Sequence, residues 1–336
     1  MAALPTETQM THPARRGLLG LAFAALFAAG AAAQPAFPTR PVTLMVGFAP
    51  GGPSDVVARL LAQPMSVDLG QPVVVENRPG AGGTIAQARF AGATPDGHTL
   101  LMGSIGQSTV PTLYRRLSFD PVGSMRPVGL VNEVPMTLIV RRTLPAQTLA
   151  EFVAMARRDG DRINLGNAGV GSTSHLCSLL LLSALQAPLT LVPYRGSALV
   201  MNDLVAGTLD VGCDQSTNTS GQIRGGSVRA LAVTTAARVD ALADLPTSAE
   251  AGLPAFQMSG WNMIYVQSAT PDPVVARLNR ALRAALADPV VVRRLTELGA
   301  PPVPAERGTP AAAQAHWAAE IERWRPLIIA AGAFAD

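Results

Sequence analysis

Two stretches of this chain place glycines and hydroxyl side chains between an apolar run and a helical repeat. The first is Phe48–Asp55 (FAPGGPSD) and the second is Gly169–His175 (GVGSTSH). The chemistry they suit is anion binding. The first N–H groups of a helix lack partners within it, and its dipole adds partial positive charge there. In the first stretch Phe48, Ala49, Pro50, Gly51 and Gly52 form the turn, and Ser54 and Asp55 fall in the first helical turn. Pro53 suits the first helical position, where its missing N–H costs nothing. In the second, Gly171, Ser172, Thr173 and His175 repeat the arrangement. Other readings compete: each stretch also reads as an ordinary strand–helix turn, with Asp55 capping the first. The second is the chain's Ser/His cluster, so a hydrolase would use Ser172 or Ser174 as nucleophile, His175 as base and Asp214 as orienter. The spacing is not the G-x-S-x-G of a nucleophile elbow, and we expect no catalytic residue.

The surrounding pattern positions these turns. Val42–Val46 is a short run, β-branched at three positions, as a buried parallel strand should be. After the turn, Val56, Val57, Leu60 and Leu61 recur at helical spacing. Val73–Glu76 reads as a second strand, Thr84–Gly92 as a helix and Thr99–Met102 as a third strand. Alternating strands and helices predict a parallel α/β sheet, whose ligands bind beyond the carboxyl ends of its strands. Asn77 and Ser104 stand at that edge and join the candidates. The Gly80–Gly83 stretch has neither Rossmann spacing nor a P-loop lysine, so no nucleotide cofactor is expected.

The pattern then begins again. Thr137–Arg141 reads as a strand, and Thr148 to Glu151 is a capping box opening a helix. Strands at Ile163–Gly166, Leu189–Pro193, Leu209–Cys213 and Val228–Val233 alternate with helices at His175–Leu185 and Ala198–Ala206. Asp214 sits where the strand Leu209–Cys213 ends. Ser259–Val266 reads as an extended return segment, and helices follow at 273–287, 289–298 and 310–331 without strands of their own. Those helices should pack on the first block. The chain would then cross between two α/β lobes near Val140 and Trp261, residues 37–140 with 260–336 forming one lobe and 141–259 the other. Two crossings make a hinge.

Composition narrows the rest. Charged residues are 15% and aromatics 4% of 336 residues, the formal charge is +3, and every basic residue is Arg. No Arg-rich run points to nucleic acid. Arg15-Arg16, the apolar Gly17–Ala29 and Ala31–Ala33 read as a signal peptide over 1–33, which predicts a periplasmic location and a soluble monomer. Two cysteines and three scattered histidines beyond it make a metal site unexpected. Cys213 ends a strand and Cys177 opens a helix from the same edge, close enough to bond in an oxidising compartment; the alternative is two buried thiols.

A resemblance covers nearly all of the chain after residue 33. The stretches FPTRP from Phe37, FAPGGPSD from Phe48, GQPVVVENRPGAGG from Gly70 and PDGHTLL from Pro95 carry it. So do His175-Leu176, VPYRG from Val192, LPT from Leu245 and EAGLP from Glu250. Together they resemble the Bug family, the extracytoplasmic solute receptors of tripartite tricarboxylate transporters. The resemblance implies a periplasmic binding-protein fold whose two lobes close on a small carboxylate held by the two turns described above. It brings in Tyr194 and Asp214 as ligand-facing candidates. It also implies membrane transporter subunits, or a membrane sensor, as partners. Pro53 stands where the family usually has Gly, Thr173-Ser174 where Ser-Pro is common, and Arg195 where Lys is frequent. Cys213 and Gln215 replace the usual Phe and Asn beside Asp214.

Overall fold

A computed structural model of the chain describes residues 1–4, 37–332, 334 and 335. All but the first four residues of the expected signal peptide thus lie outside the described residues. Met1–Thr39 and Arg40–Asp336 separate as two units, and the second holds every element discussed below.

The first half is built as the apolar runs require. Strand β1 (Val42–Val46) lies between β2 (Val73–Asn77) and β3 (Thr99–Ser104), all parallel. Helix α1 (Pro53–Leu69) starts on its proline and ends at Gly70, whose left-handed backbone returns an N–H to the Ser66 carbonyl. A short helix, α2 (Thr84–Ala91), leads into β3, and α3 (Gly106–Leu113) leaves it. In the second half β5 (Asn164–Asn167) pairs in parallel with β6 (Thr190–Pro193) and β7 (Val211–Gln215). Helices α4 (Leu149–Asp159), α5 (Thr173–Leu185), α6 (Ser197–Ala206) and α7 (Ser216–Arg224) connect these strands and β8 (Val228–Val233).

The halves are joined by antiparallel strands that the alternating pattern did not predict. β4 (Met125–Arg141) pairs with β9 (Ser259–Gln267) up to Pro135, then from Met136 onward with β7 and β8. β9 in turn pairs antiparallel with β3. Among the described residues, nine strands form one mixed sheet in the order β2-β1-β3-β9-β4-β7-β5-β6, with β8 on β4. The sequence predicted only the last five residues of β4. The stretch before that carries Pro127, Gly129 and Pro135, which read as breakers; register shifts beside Pro127 and Leu130 absorb the first two, and Pro135 stays in register with Ser259. Helices α3 and α7 were also missed. Both are short and rich in Gly, Ser, Thr or Asn, so burial against neighbouring strands and helices decides them, not propensity.

The terminal helices α8 (Asp272–Ala287), α9 (Pro289–Glu297) and α10 (Pro310–Ala331) cover the first half. α8 packs on α1, and α10 packs on α3 and β4. In the core, Tyr265 and Trp317 meet edge to face with ring centres 5.1 Å apart, and the buried Glu320 accepts from the indole N–H groups of Trp261 and Trp324. Cys177 on α5 and Cys213 on β7 are joined in a disulfide, their Cα atoms 6.0 Å apart. Among the described residues, no helix is long and apolar enough to cross a membrane.

Candidate functional site

The first turn is braced by its own polar side chains. Gly51, at φ 79°, donates its N–H to Asp55 Oδ2 at 2.9 Å. Arg59, one helical turn on, donates to the same oxygen at 2.9 Å. Asn77, at the end of β2, donates to Asp55 Oδ1 at 2.9 Å and to the Phe48 carbonyl at 3.0 Å. Burial pushes the Asp55 carboxyl up, but the Arg59, Gly51 and Asn77 donors outweigh it and hold the group below the usual carboxylate range. Asp55 is therefore ionised at neutral pH, with its charge already answered by Arg59. Gly52, the extended residue before α1, has no side chain to cap the helix, so the first N–H groups there remain open to a ligand.

The second turn is closed in a similar way. Ser172 caps α5 by accepting the His175 N–H at 3.1 Å. Ser174 Oγ accepts the Ala168 N–H at 2.8 Å and lies 3.1 Å from Ser172 Oγ. Gly171, at φ 82°, donates its N–H to His175 Nδ1 at 3.3 Å. Burial pushes the His175 imidazole down to about 4, so the ring is neutral at pH 7 and accepts that bond.

Asp214, at the end of β7, is 3% exposed. Its carboxylate accepts from Ser197 Oγ at 3.0 Å, the Gln215 N–H at 2.8 Å and Asn218 Nδ2 at 2.7 Å. Burial pushes its pKa up to about 6 against those three donors. His175 is not among its partners, and Ser172 Oγ is engaged as a helix cap. The relay a serine hydrolase needs is thus not assembled from these residues.

Both turns face one cavity. Phe48, Gly52, Pro53 and Ser54 line it from the first side; Ala168, Ser172, Thr173 and Ser174 line it from the second. Ser197 at the start of α6 and Gln215 at the end of β7 complete it. The cavity volume is about 300 Å³, part of it open to solvent. Around the cavity the two sides also approach closely. A Cβ on Gly106 would lie 2.7 Å from the Gly171 carbonyl oxygen, and one on Gly196 would lie 3.2 Å from Ala49 Cβ. The Tyr114 hydroxyl reaches the Ala81 carbonyl at 2.9 Å and the Val170 carbonyl at 3.2 Å.

Of the residues singled out in the sequence, Phe48, Gly52, Ser54, Ser172 and Thr173 line this cavity. Asp55, Asn77, Gly171 and His175 make hydrogen bonds that hold the turns in shape. Ala49 meets Gly196, Pro50 is exposed, and Ser104 is buried with its N–H on Gln107 Oε1. The Tyr194 hydroxyl donates to Asp203 at 2.6 Å, and burial together with that carboxylate pushes its pKa up to about 12. Asp214 stands behind Ser197 and Gln215. Sequence reasoning missed Ser197 and Gln215 as lining residues. The signals were present: one follows a glycine at a helix start, the other directly follows Asp214.

The buried groups set a pH dependence whose signs oppose. His175 and His316 have folded pKa values below the unfolded 6.5, both through burial. The unfolded chain takes up those protons first, so stability falls as pH drops from about 6.5 toward 4. Asp214 is raised, so the folded chain protonates first and gains stability over about pH 6 to 4. We expect a net loss of stability from pH 7 to 4.5, a flatter profile in His175→Gln and a steeper one in Asp214→Asn. Urea midpoints across that range read all three. Profiles that coincide would mean neither group titrates as its burial requires.

A mixed sheet with two glycine turns closing on one cavity defines a protein of the periplasmic binding-protein class. Residues 57–332 match the family described as Tripartite tricarboxylate transporter family receptor, and the chain belongs to that family. It is 46% identical over 302 residues to the "UPF0065 protein in the TAR-I ttuE-ttuC' intergenic region" of Agrobacterium vitis, covering 90% of this chain and 87% of that one. Among solved structures, the periplasmic binding protein BugD superposes with TM-score 0.86 at 43% identity, over 89% of this chain and all (100%) of BugD. MatC (Rpa3494) from Rhodopseudomonas palustris, solved with bound malate, gives 0.83 at 40% identity, over 87% and 100%. The Bug resemblance and the fold read from the sequence are borne out by these matches.

Proposed function

We propose that this chain is a periplasmic receptor that closes its two lobes on a small organic carboxylate and delivers it to membrane subunits of a tripartite tricarboxylate-type transporter. The observation that carries the reading is the cavity itself. Two helix N-termini, α1 and α5, open onto one space whose lining is hydroxyl, amide and apolar, without a carboxylate. Malate bound in a relative at 40% identity supports the ligand class.

The energetics are sufficient only if both turns act together. Micromolar binding needs about 8 kcal/mol. Each exposed helix terminus supplies about 0.3–1 kcal/mol, whereas each hydrogen bond to a charged group supplies roughly 1.5–3 kcal/mol. Several such bonds from the backbone N–H groups and hydroxyls of both turns reach that value in a closed cleft.

The test is a thermal-shift screen with mono-, di- and tricarboxylates and their methyl esters. A ligand at one hundred times its Kd adds about 2.7 kcal/mol of stability, which is readily seen. We expect at least one free acid to stabilise the protein and its ester to have no effect. Stabilisation by esters and acids alike, or by no carboxylate, would defeat the reading.

A further inference from the structure

The wall of the cavity away from the two glycine turns contains a buried amide oxygen without a hydrogen-bond partner. Gln215 is 5% exposed and lines the cavity. Its backbone is pinned, because its N–H donates to Asp214 and β7 pairs it opposite Met136 on β4. Its side-chain Oε1 is buried without a hydrogen-bond partner. Buried amides are nearly always paired, and one left unpaired costs stability. A ligand group that donates a proton into this cavity would complete it.

The adjacent hydroxyl narrows the ligand chemistry. Ser197 gives its proton to Asp214 Oδ1, so it presents lone pairs toward the cavity. Gln215 and Ser197 together form a polar, uncharged wall that includes acceptors. A ligand ammonium would find no free carboxylate there to balance its charge, because both Asp214 oxygens are already taken by three donors. A ligand hydroxyl pairs with an amide whichever way its oxygen and nitrogen are turned. A methylene pairs with neither end.

We infer that Gln215 is a specificity-determining residue that reads a hydroxyl on the ligand, so that the receptor takes hydroxycarboxylates in preference to the same acids without the hydroxyl. This rests on the carboxylate-receptor reading above. The glycine turns hold the carboxylate; Gln215 selects the carbon skeleton's substituent.

Calorimetry on the whole receptor with three matched pairs tests it: lactate and propionate, malate and succinate, citrate and tricarballylate. For whichever pair binds, the hydroxy acid should be tighter by about tenfold or more, because its absence leaves the buried amide unpaired. In Gln215→Leu the hydroxy acid should weaken to within about threefold of its partner, while the partner keeps its affinity. Gln215→Met serves if the leucine variant fails to fold. Equal affinities within every binding pair in the unsubstituted receptor overturn the inference and leave the receptor reading standing. Equal weakening of both members in the variant does the same, since it marks Gln215 as packing. Binding of no acid from any pair overturns the inference, and the receptor reading then stands or falls on the wider carboxylate screen.

Discussion

Gly106→Leu should abolish the proposed carboxylate binding while leaving the chain folded. Gly106 opens α3, and a Cβ there would sit 2.7 Å from the Gly171 carbonyl oxygen on the opposite turn. Real Cβ atoms do not approach backbone oxygen so closely, so the start of α3 and the second glycine turn must part, which draws the second turn away from the first half. Parting them removes hydrogen bonds that both turns would make to one anion, each worth roughly 1.5–3 kcal/mol. Gly106→Ala should therefore weaken binding by about 10- to 150-fold, and leucine should bring it below detection. Gly106 is not at a positive φ, so neither change strains its backbone, and alanine gains about 0.5–1 kcal/mol in a helix. Gly221→Ala on α7, where a Cβ meets nothing within 4 Å, is the control and should bind normally. Calorimetry beside urea unfolding reads both quantities. Normal binding by Gly106→Leu would show that the ligand does not need the turns this close.

Removing the Cys177–Cys213 bond should cost about 3–4 kcal/mol of folding stability. It closes a loop across a sequence separation of 36, and a cross-link of that length removes about this much freedom from the unfolded chain. Both cysteines are buried in the core, so Cys177→Ala with Cys213→Ala also removes packed sulfur. The bond ties α5, whose first turn holds Ser172 and Ser174, to β7, whose last residues are Asp214 and Gln215. Urea unfolding of the double variant reads the loss, and thiol titration of the unfolded, unreduced protein should find no free thiol. Two free thiols, or a loss under about 1 kcal/mol, would sink this.

Local features of the sequence were enough to reveal both glycine turns. A β-branched run, a glycine turn and a helical repeat are neighbours in the chain, so the strand–turn–helix units at Phe48–Asp55 and Gly169–His175 were legible without any long-range contact. The N-cap at Thr148 was legible for the same reason: Thr148 accepts the Glu151 N–H, while the Glu151 carboxylate accepts the N–H of Gln147 rather than that of Thr148, so the box is only half formed. Reading the roles within each turn was harder. Asp55 and Asn77 looked like ligand groups, yet they bond each other across 22 residues of sequence. His175 read as a ligand-side residue of the second turn, and its ring accepts an N–H from that same turn.

What the amino-acid sequence determined by itself was the set of units: short strands that bury both faces, glycine turns after them, and helices that begin with open N–H groups. Those properties depend on residues within one or two turns of each other. Tertiary structure decided three further things. It made β4 one strand of 17 residues through two prolines, because pairing with β9, β7 and β8 outweighs local propensity. It separated the side chains that brace the turns from those that face the cavity. It also brought Ser197 and Gln215 to that cavity from elements on either side of Asp214 in space, because a cavity wall is assembled by sheet order, and sheet order is set by pairings between residues far apart in the chain.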